Sequence, residues 1–462
     1  MLEGLEASEI MFSYVKSQSD ILRLDSYYYS KEFLSDEIII SKTTNKTLKE
    51  LNASLLSFGA YSLNNFVEYK DSGIPFIRGV NMKNGVLDFS DTIYIDEEAH
   101  KLLWKSEVKP NTVLLSMSGT IGDVAIAVQE YDYPMNSNQD IAKIGLKEEG
   151  IRPCYLYAFL RSKYGQNFLK REARGSVQQH VFLSQIETIR IPLLTDSFQI
   201  QIEQLVKSAH SNLHQSKALY SDAENMLLSE IGLQGWEPNS NPINIKQLKE
   251  SFLTSGRLDA EYYQSKYDDL FAQLSKYECD TIKGIVHIKK SMEPGSEAYK
   301  DNGIPFVRVS DVNKFGISDP SIFLSPNDFD LYEHKPKKDT ILLSKDGSVG
   351  IAYKVEKDMD CITSGALLHL SVFNEDYSPD YLTLVLNSIV VQMQAERDSN
   401  GAIIQHWKPS EIEQVIIPKL PKPIQDTISA KIQESFALKA ESKRLLEEAK
   451  MMVEKEIENG GE

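Results

Sequence analysis

The chain contains an internal repeat, and this repeat constrains its fold more than any other feature of the sequence. Three motifs occur twice, in the same order. They are RLDSYYY at 23–29 and RLDAEYY at 257–263, DSGIPFIR at 71–78 and DNGIPFVR at 301–308, and TVLLSMSGTIG at 112–122 and TILLSKDGSVG at 340–350. Since chance does not produce such matches in one order, the sequence predicts two domains of the same fold in tandem.

A fourth pair of motifs extends the repeat to the end of each domain. Residues 174–180 (RGSVQQH) correspond to residues 400–406 (NGAIIQH), and an Ile-Pro step follows each of them. A chain of 462 residues is also far longer than one hydrophobic core usually requires. The predicted segments are a first domain at 1–196, a first long helix at 197–233, a second domain at 234–422 and a second long helix at 423–462.

Each domain is predicted to mix strands and helices. The apolar runs at residues 113–115 and 124–128 predict short buried strands around a glycine turn. The spacing of apolar residues predicts a helix over residues 155–170 and, in the second copy, over residues 381–394. The domains are therefore expected to belong to the α+β class.

A heptad pattern follows each domain and predicts two long helices. Apolar and small residues recur at steps of four and three, which is the seam of a coiled coil. In the first helix the seam comprises Ile202, Val206, Ala209, Leu213, Ser216, Tyr220, Ala223 and Leu227; in the second it comprises Ile428, Ile432, Ser435, Lys439, Ser442, Leu446, Ala449 and Val453. One alternative is that each helix packs only on its own domain. The shared frame favours pairing of the two helices, and tandem repeats favour an antiparallel, pseudo-two-fold pair.

Charge and cysteine content limit the classes of protein. The net charge of −17 argues against a nucleic-acid binder, but residues 152–192 carry seven basic and two acidic residues. The equivalent stretch at 378–418 lacks this excess. The three cysteines lie far apart, which argues against a zinc ribbon or a disulfide framework. Without a basic signal peptide or an apolar run long enough to span a membrane, the expected location is the cytoplasm.

The duplication of the motifs, their order and their spacing together resemble those of one known family. Each of the two domains ends with an Ile-Pro step and is followed by a helix that begins FQIQI at 198–202 or IQDTI at 424–428. This arrangement is similar to that of type I restriction-modification specificity subunits. The resemblance covers nearly the whole chain, including the glycine turns at 119–122 and 347–350. One departure is Asn400, which stands where the first copy has Arg174.

The resemblance implies a non-catalytic protein that recognises double-stranded DNA. Each target-recognition domain would recognise one half of a bipartite, asymmetric site. The two helices would set the spacer and bind two methyltransferase subunits, and restriction subunits would join where present. This chain would bind no cofactor: S-adenosylmethionine would belong to the adenine methyltransferase, and ATP and Mg to a restriction subunit.

The motifs expected of an enzyme are not found in the sequence. The Asn-Pro-Ile-Asn run at 241–244 lacks the aromatic residue that stacks on a base in amino-methyltransferases, and it predicts a linker turn. The run DEEAH at 96–100 has no accompanying phosphate-binding loop and predicts the start of an exposed helix. Histidines and cysteines show no ligand spacing, so no metal site is predicted.

Polar residues at the repeated motifs are the candidates for DNA contact, because Arg, Lys, Asn, Gln and hydroxyl side chains bind bases and phosphates. In the first domain they are Arg78, Asn81, Lys83, Asn84, Ser118, Thr120, Arg174, Ser176 and Gln178. In the second domain they are Arg308, Asn313, Lys314, Ser344, Lys345, Ser348, Asn400 and Gln405. The candidate positions for partner binding on the helices are Ile202, Val206, Leu213, Tyr220, Leu227, Ile428, Ile432, Leu446 and Val453. Gln179, His180 and His406 are interpreted as structural groups.

Three functions remain open from the sequence. The first is DNA specificity in a type I system, or in a related methyltransferase-restriction system of another type. The second is a protein-binding scaffold that does not recognise DNA, which the acidic net charge favours. The third is an enzyme in its own right, which the missing motifs argue against.

Overall fold

A computed structural model describes most of the chain and divides it into two compact units. The described residues are 7–18, 22–58, 67–147, 150–175, 179–239, 241, 243–325, 334–401 and 404–460. Unit 1 comprises residues 1–214 and 439–462, and unit 2 comprises residues 215–438. The two long helices, Asp196–Glu230 and Lys422–Glu458, each contribute one part to each unit. The unit boundaries therefore fall within the helices rather than at their ends.

The described part of unit 1 folds around two four-stranded sheets. The first sheet has the strand order Ile93–Ile95, Ile74–Ile77, Met135–Ser137 and Glu107–Val108; the second has the order Ser54–Leu56, Ile141–Gly145, Val113–Ser116 and Val124–Ile126. Two smaller pairs are Asn45–Thr47 with Arg190–Pro192, and Met82–Lys83 with Val86–Leu87. The helices are Phe12–Gln18, Lys31–Ser41, Glu97–Leu102, Pro153–Arg161, Lys163–Glu172 and Leu183–Ile186.

The described part of unit 2 repeats this plan. One sheet has the order Val286–Lys290, Leu367–Val372, Ile341–Ser344 and Ala352–Lys354; the other has the order Tyr299–Lys300, Phe323–Leu324, Ile304–Val307 and Ile362–Thr363. The smaller pairs are Cys279–Thr281 with Ile416–Pro418, and Val312–Asn313 with Gly316–Ile317. The helices are Phe252–Ser255, Ser265–Leu274, Pro379–Asn387, Ile389–Asp398 and Pro409–Ile412.

Strand pairing shows that the repeated motifs occupy equivalent places. In unit 1, Phe76 lies opposite Asn136 in a parallel pair, and in unit 2 Phe306 lies opposite Ile362 in the same kind of pair. The strands predicted around the first glycine turn are also confirmed, with Val113 opposite Ile126 in antiparallel register. The α+β class and the tandem repeat are therefore confirmed.

The single helix predicted over 155–170, and its counterpart over 381–394, each form two helices. In unit 1 the break falls at Ser162, whose extended backbone (φ −66°, ψ 163°) separates Pro153–Arg161 from Lys163–Glu172. The two helices pack so closely that a Cβ at Gly165 would lie 2.5 Å from the carbonyl oxygen of Phe159. The apolar spacing continues through this break, so the periodicity alone predicts one helix.

The long helices pair with each other and also cover the domains. In unit 1, Ile202 and Val206 of the first helix share one buried cluster with Leu446 and Val453 of the second and with apolar residues of the domain. In unit 2, the later part of the first helix shares a cluster with the early part of the second. This is the antiparallel pairing that the sequence predicts. Packing on the domains, which was the alternative, is present as well.

The small residues of the seam allow the two helices to approach closely. In unit 2, the hydroxyl groups of Ser216 and Ser435 lie 3.1 Å apart, and Ser435 Oγ donates to the backbone oxygen of Ser216 at 2.7 Å. Both serines are buried. Hydrogen bonds therefore satisfy the polar groups that a close helix contact brings into the interior.

The prediction that the seam residues bind partner subunits requires correction. All of them except the half-buried Leu213 are buried within this chain: Ile202, Val206, Tyr220, Leu227, Ile428, Ile432, Leu446 and Val453. Their side chains stabilise the helix pair and the two cores. A partner protein would have to contact the exposed faces of the helices instead.

One strand in each unit buries a titratable side chain that the sequence does not single out. Lys143 is 3% exposed, and its Nζ donates to Ser137 Oγ at 2.8 Å and to the backbone oxygen of Ile141 at 3.1 Å. Burial lowers the pKa of Lys143 to about 7. The equivalent His369 lies 2.7 Å from Thr363 Oγ1, and burial lowers its pKa to about 4. Both side chains are held by a hydroxyl group at the same place in the repeat.

None of the described helices combines the length and the apolar character needed to cross a bilayer.

Candidate functional site

In unit 1 the glycine turn lies against Arg174 and His180, and together they form what we name the first loop surface: Ser118, Thr120, Arg174 and His180. Arg174 and His180 exchange backbone hydrogen bonds of 2.9 and 2.7 Å, and Ser118 forms a β-bridge with His180. The backbone nitrogen of Val181 donates to the oxygen of Met117 at 2.9 Å. Three of the predicted DNA-contacting residues therefore lie together on one surface.

Hydrogen bonds from the core hold this surface in place. Asp140 accepts from Ser118 Oγ at 2.7 Å through its carboxylate, and from the backbone nitrogen of Met117 at 2.7 Å through its own backbone oxygen. A Cβ at Gly79 would lie 3.8 Å from Thr120 Oγ1, so the loop after the DSGIPFIR motif packs behind the turn. The two repeated motifs thus support one another, although the sequence separates them by about forty residues.

Unit 2 forms the equivalent second loop surface: Lys345, Asp346, Ser348, Asn400, Gln405 and His406. Asn400 and His406 exchange backbone hydrogen bonds of 3.0 and 2.7 Å. The nitrogen of Gly347 donates to the oxygen of Gln405 at 2.9 Å. The nitrogen of Trp407, whose ring is buried, donates to the oxygen of Lys345 at 2.8 Å.

The two loop surfaces differ in charge. Arg174 is exposed in the first, and among the described residues it has no ion-pair partner. In the second, Lys345 pairs with the carboxylate of Asp346, and Nδ1 of His406 lies 2.8 Å from the other oxygen of that carboxylate. The predicted structural role of His406 does not account for this contact, and Asp346 is not among the predicted site residues. The sequence feature that could have identified His406 and Asp346 is their position inside the repeated motifs.

The predicted residues after the DSGIPFIR motif form a separate, internally bonded group. The carboxamide of Asn81 accepts from the backbone nitrogen of Arg78 at 2.9 Å and donates to the backbone oxygens of Asp88 and Asp91, at 3.1 Å each. Arg78 itself donates to the oxygen of Asp91 at 2.7 Å. Since Asn81 is only 1% exposed, the structure corrects its assignment as a DNA contact: it stabilises the loop.

Ser344 requires the same correction in unit 2. Its side chain is fully buried, and its hydroxyl donates to the oxygen of Ser348 at 2.5 Å and accepts from the nitrogen of Ile351 at 2.8 Å. It closes the glycine turn from inside. Ser348, at the tip of that turn, is exposed and stays a prediction.

The other candidates lie in several places. Lys314 pairs with Glu224 of the first long helix at 3.1 Å and lies over the ring of Tyr220, which ties it to the helix. Arg308 lies 3.6 Å from Asp311. The remaining exposed candidates are Lys83, Asn84 and Asn313. Ser176 and Gln178 lie outside the described residues.

No cluster with metal-binding character occurs in the described part of the chain. No three His, Cys, Asp or Glu side chains there are grouped so that they could hold an ion. The loop surfaces offer amide, hydroxyl, guanidinium, ammonium and imidazole groups. Such groups form hydrogen bonds with phosphates and base edges.

The family model for the type I restriction modification DNA specificity domain matches residues 28–209 and 275–450. The chain belongs to this family. Each match contains one loop surface; the first match lies within unit 1, and the second covers most of unit 2 and continues along the second long helix to residue 450.

Individual relatives are distant. A stretch of 143 residues is 27% identical to the type I restriction enzyme EcoBI specificity subunit of Escherichia coli, and it spans 30% of this chain and 30% of that relative. The S subunit of a type I restriction-modification system from M. genitalium is 15% identical, with a TM-score of 0.41 over 90% of this chain and 95% of the other. The HsdS subunit from Thermoanaerobacter tengcongensis is 14% identical, with a TM-score of 0.30 over 90% and 97%.

Proposed function

We propose that the chain is the DNA specificity subunit of a type I restriction-modification complex, and that each unit recognises one half of a bipartite site. The observation that carries this proposal is the loop surface that recurs at equivalent positions in both units. Family membership supports DNA as the ligand, and the different side chains on the two surfaces support an asymmetric site. The long helices would set the number of base pairs between the half-sites.

The chemistry would belong to partner proteins. Two methyltransferase subunits would bring S-adenosylmethionine and methylate adenine, and a restriction subunit, where present, would use ATP and Mg. This chain would position them on DNA, in the cytoplasm. The purified chain alone should neither methylate nor cut DNA, and methyl transfer by the contaminant-free chain would contradict this division of labour.

DNA recognition can be tested directly by selecting bound sequences from a randomised duplex library with the full chain and its methyltransferase subunit. We expect two short conserved blocks separated by a spacer of fixed length. A scaffold that does not recognise DNA would select no motif. Because phosphate contacts release counterions, the affinity should also fall steeply as salt is raised.

Arg174 offers a residue-level prediction. Replacing it by alanine should remove from the first loop surface one exposed positive charge that forms no ion pair with any described residue. We expect weaker binding and a salt dependence reduced by about one ion if Arg174 contacts phosphate, or relaxed preference at one base pair if it contacts guanine. Titrations with labelled duplex at several salt concentrations distinguish these two outcomes.

Arg190 provides the matched control for this prediction. It is also exposed and basic, but it lies on the strand Arg190–Pro192 and its Nη1 donates to Asn45 at 3.2 Å. Arg190→Ala should leave the selected motif intact. An equal effect of both substitutions would show a nonspecific loss of charge, and no effect of Arg174→Ala would make Arg174 structural.

A further inference from the structure

We propose that His406, oriented by Asp346, contacts a base in the second half-site, and that its Nε2 accepts a hydrogen bond from the exocyclic amino group of an adenine or cytosine. This inference rests on the proposed function and adds a specificity-determining residue to it.

The position of His406 is fixed, while its side chain remains accessible. Backbone hydrogen bonds join it to Asn400 on one side, and the buried Trp407 follows it in the chain. Its side chain is nevertheless 62% exposed. An exposed side chain on a well-fixed backbone is suited to recognition, since little conformational freedom is lost on binding.

Asp346 determines which nitrogen of the imidazole is available. A carboxylate oxygen can only accept, so Nδ1 of His406 must donate across the 2.8 Å contact to Asp346 Oδ1. In the neutral ring, Nε2 then carries the lone pair and acts as an acceptor. The other carboxylate oxygen of Asp346 accepts from Lys345 Nζ, which holds the aspartate in place.

An acceptor of this kind selects among the partners that DNA offers. Phosphate oxygens are themselves acceptors and cannot donate to Nε2. In the major groove the donors are the amino groups of adenine N6 and cytosine N4. Lys345 does not compete for this contact, because its side chain is 11% exposed and already engaged by Asp346.

The first loop surface lacks this arrangement, and it therefore provides an internal comparison. Ser118 stands at the position of Asp346, and its hydroxyl donates to Asp140 rather than to the histidine. The ring of His180 lies 4.6 Å from that of Phe182, edge to face. Because none of the described carboxylates holds His180, its two ring nitrogens are not distinguished in the same way.

The test uses the full chain with its methyltransferase subunit and a randomised duplex library as the probe. His406→Asn keeps a donor near the position of Nδ1 but removes Nε2, so the preference at one base pair of the second half-site should fall about 5- to 100-fold. His406→Gln places an amide oxygen near the position of Nε2 and should keep the original preference at that base pair better than His406→Asn does. Asp346→Ser, which copies the first domain, should relax the same base pair as His406→Asn.

The first half-site serves as the control for folding, and His180→Asn serves as the matched substitution in unit 1. A variant that still selects the first half-site is folded and binds DNA. If such a His406→Asn variant selects the original second half-site unchanged, the inference is wrong while the proposed function stands. If the unmodified complex selects no motif, the proposed function itself fails. His180→Asn is expected to leave the second half-site unchanged, and a change there would contradict independent recognition.

Discussion

Replacing Lys143 by methionine is expected to raise the free energy of unfolding of unit 1 by about 3 kcal/mol at pH 7. The lysine is buried, has no carboxylate partner among the described residues, and its pKa is lowered from 10.5 to about 7. Burial therefore destabilises the charged form of Lys143 in the folded state, whereas the unfolded chain carries this charge in water. Methionine has a similar shape and avoids this cost, although the hydrogen bond to Ser137 is lost.

The effect of the substitution should depend on pH in a defined direction. Below about pH 7 the lysine is charged in both the folded and the unfolded state, and burial of the charge destabilises the folded state by the full amount. Between about pH 7 and pH 10 the folded lysine is neutral while the unfolded one still binds a proton, so the stability of the unmodified chain rises with pH by about 1.4 kcal/mol per pH unit. The advantage of Lys143→Met should therefore shrink as pH rises through this window.

His369→Leu is the matched variant in unit 2, with a different window. Burial lowers the pKa of His369 from 6.5 to about 4. The gain in stability from His369→Leu should therefore be largest below pH 4 and should fall as pH rises to about 6.5. Hydrogen exchange in urea, followed by mass spectrometry of peptides from each unit, would report each effect locally. A Lys143→Met variant that is less stable at pH 7, or whose advantage is independent of pH, would contradict this account of the buried lysine.

The second prediction concerns the long helices. Inserting four residues into each of them, between His214 and Gln215 and between Leu438 and Lys439, should lengthen the selected spacer by one or two base pairs. Four residues add roughly 6 Å of helix, against about 3.4 Å per base pair of DNA. These positions are the boundaries of the compact units, so each unit keeps its own seam contacts. Both half-sites should stay unchanged, and affinity for the original site should fall at least about a hundredfold.

Insertion into the first helix alone provides the control for this experiment. Because the second helix is not lengthened to match, the two helices can keep their seam contacts in one unit but not in both. We expect this variant to be less stable than the paired insertion, although heptad seams tolerate a four-residue insertion better than most. If the paired variant is folded and selects the original spacer, the helices do not set the distance between half-sites.

The repeat explains how much of the fold could be predicted. Matched motifs such as DSGIPFIR and DNGIPFVR predict equivalent strands, and the structure places Phe76 and Phe306 in equivalent parallel pairs. The shared heptad frame predicts the antiparallel helix pair, and the structure brings Ser216 of one helix against Ser435 of the other. These features depend on periodicity and order, which a single sequence contains.

Other features depend on tertiary contacts and were not predictable in this way. Asn81 has the residue type of a DNA contact, but its amide is used inside the loop, and Ser344 is used in the same way. Lys143 has the residue type of a surface residue, and only the strand pairing shows that it lies in the interior. The pairing of Asp346 with His406 joins residues sixty positions apart. Residue type therefore located the loop surfaces. It did not distinguish the side chains that stabilise these loops from the side chains that are exposed for contact with DNA.

We propose that each unit recognises one half of a bipartite DNA site independently of the other unit. The most direct test of this proposal is to exchange residues 60–195 for the equivalent residues of a related specificity subunit and to sequence the methylome of cells that carry the hybrid system. We expect a new sequence in one half of the methylated motif, with the other half and the spacer unchanged. A motif that changes in both halves, or in neither, would contradict it.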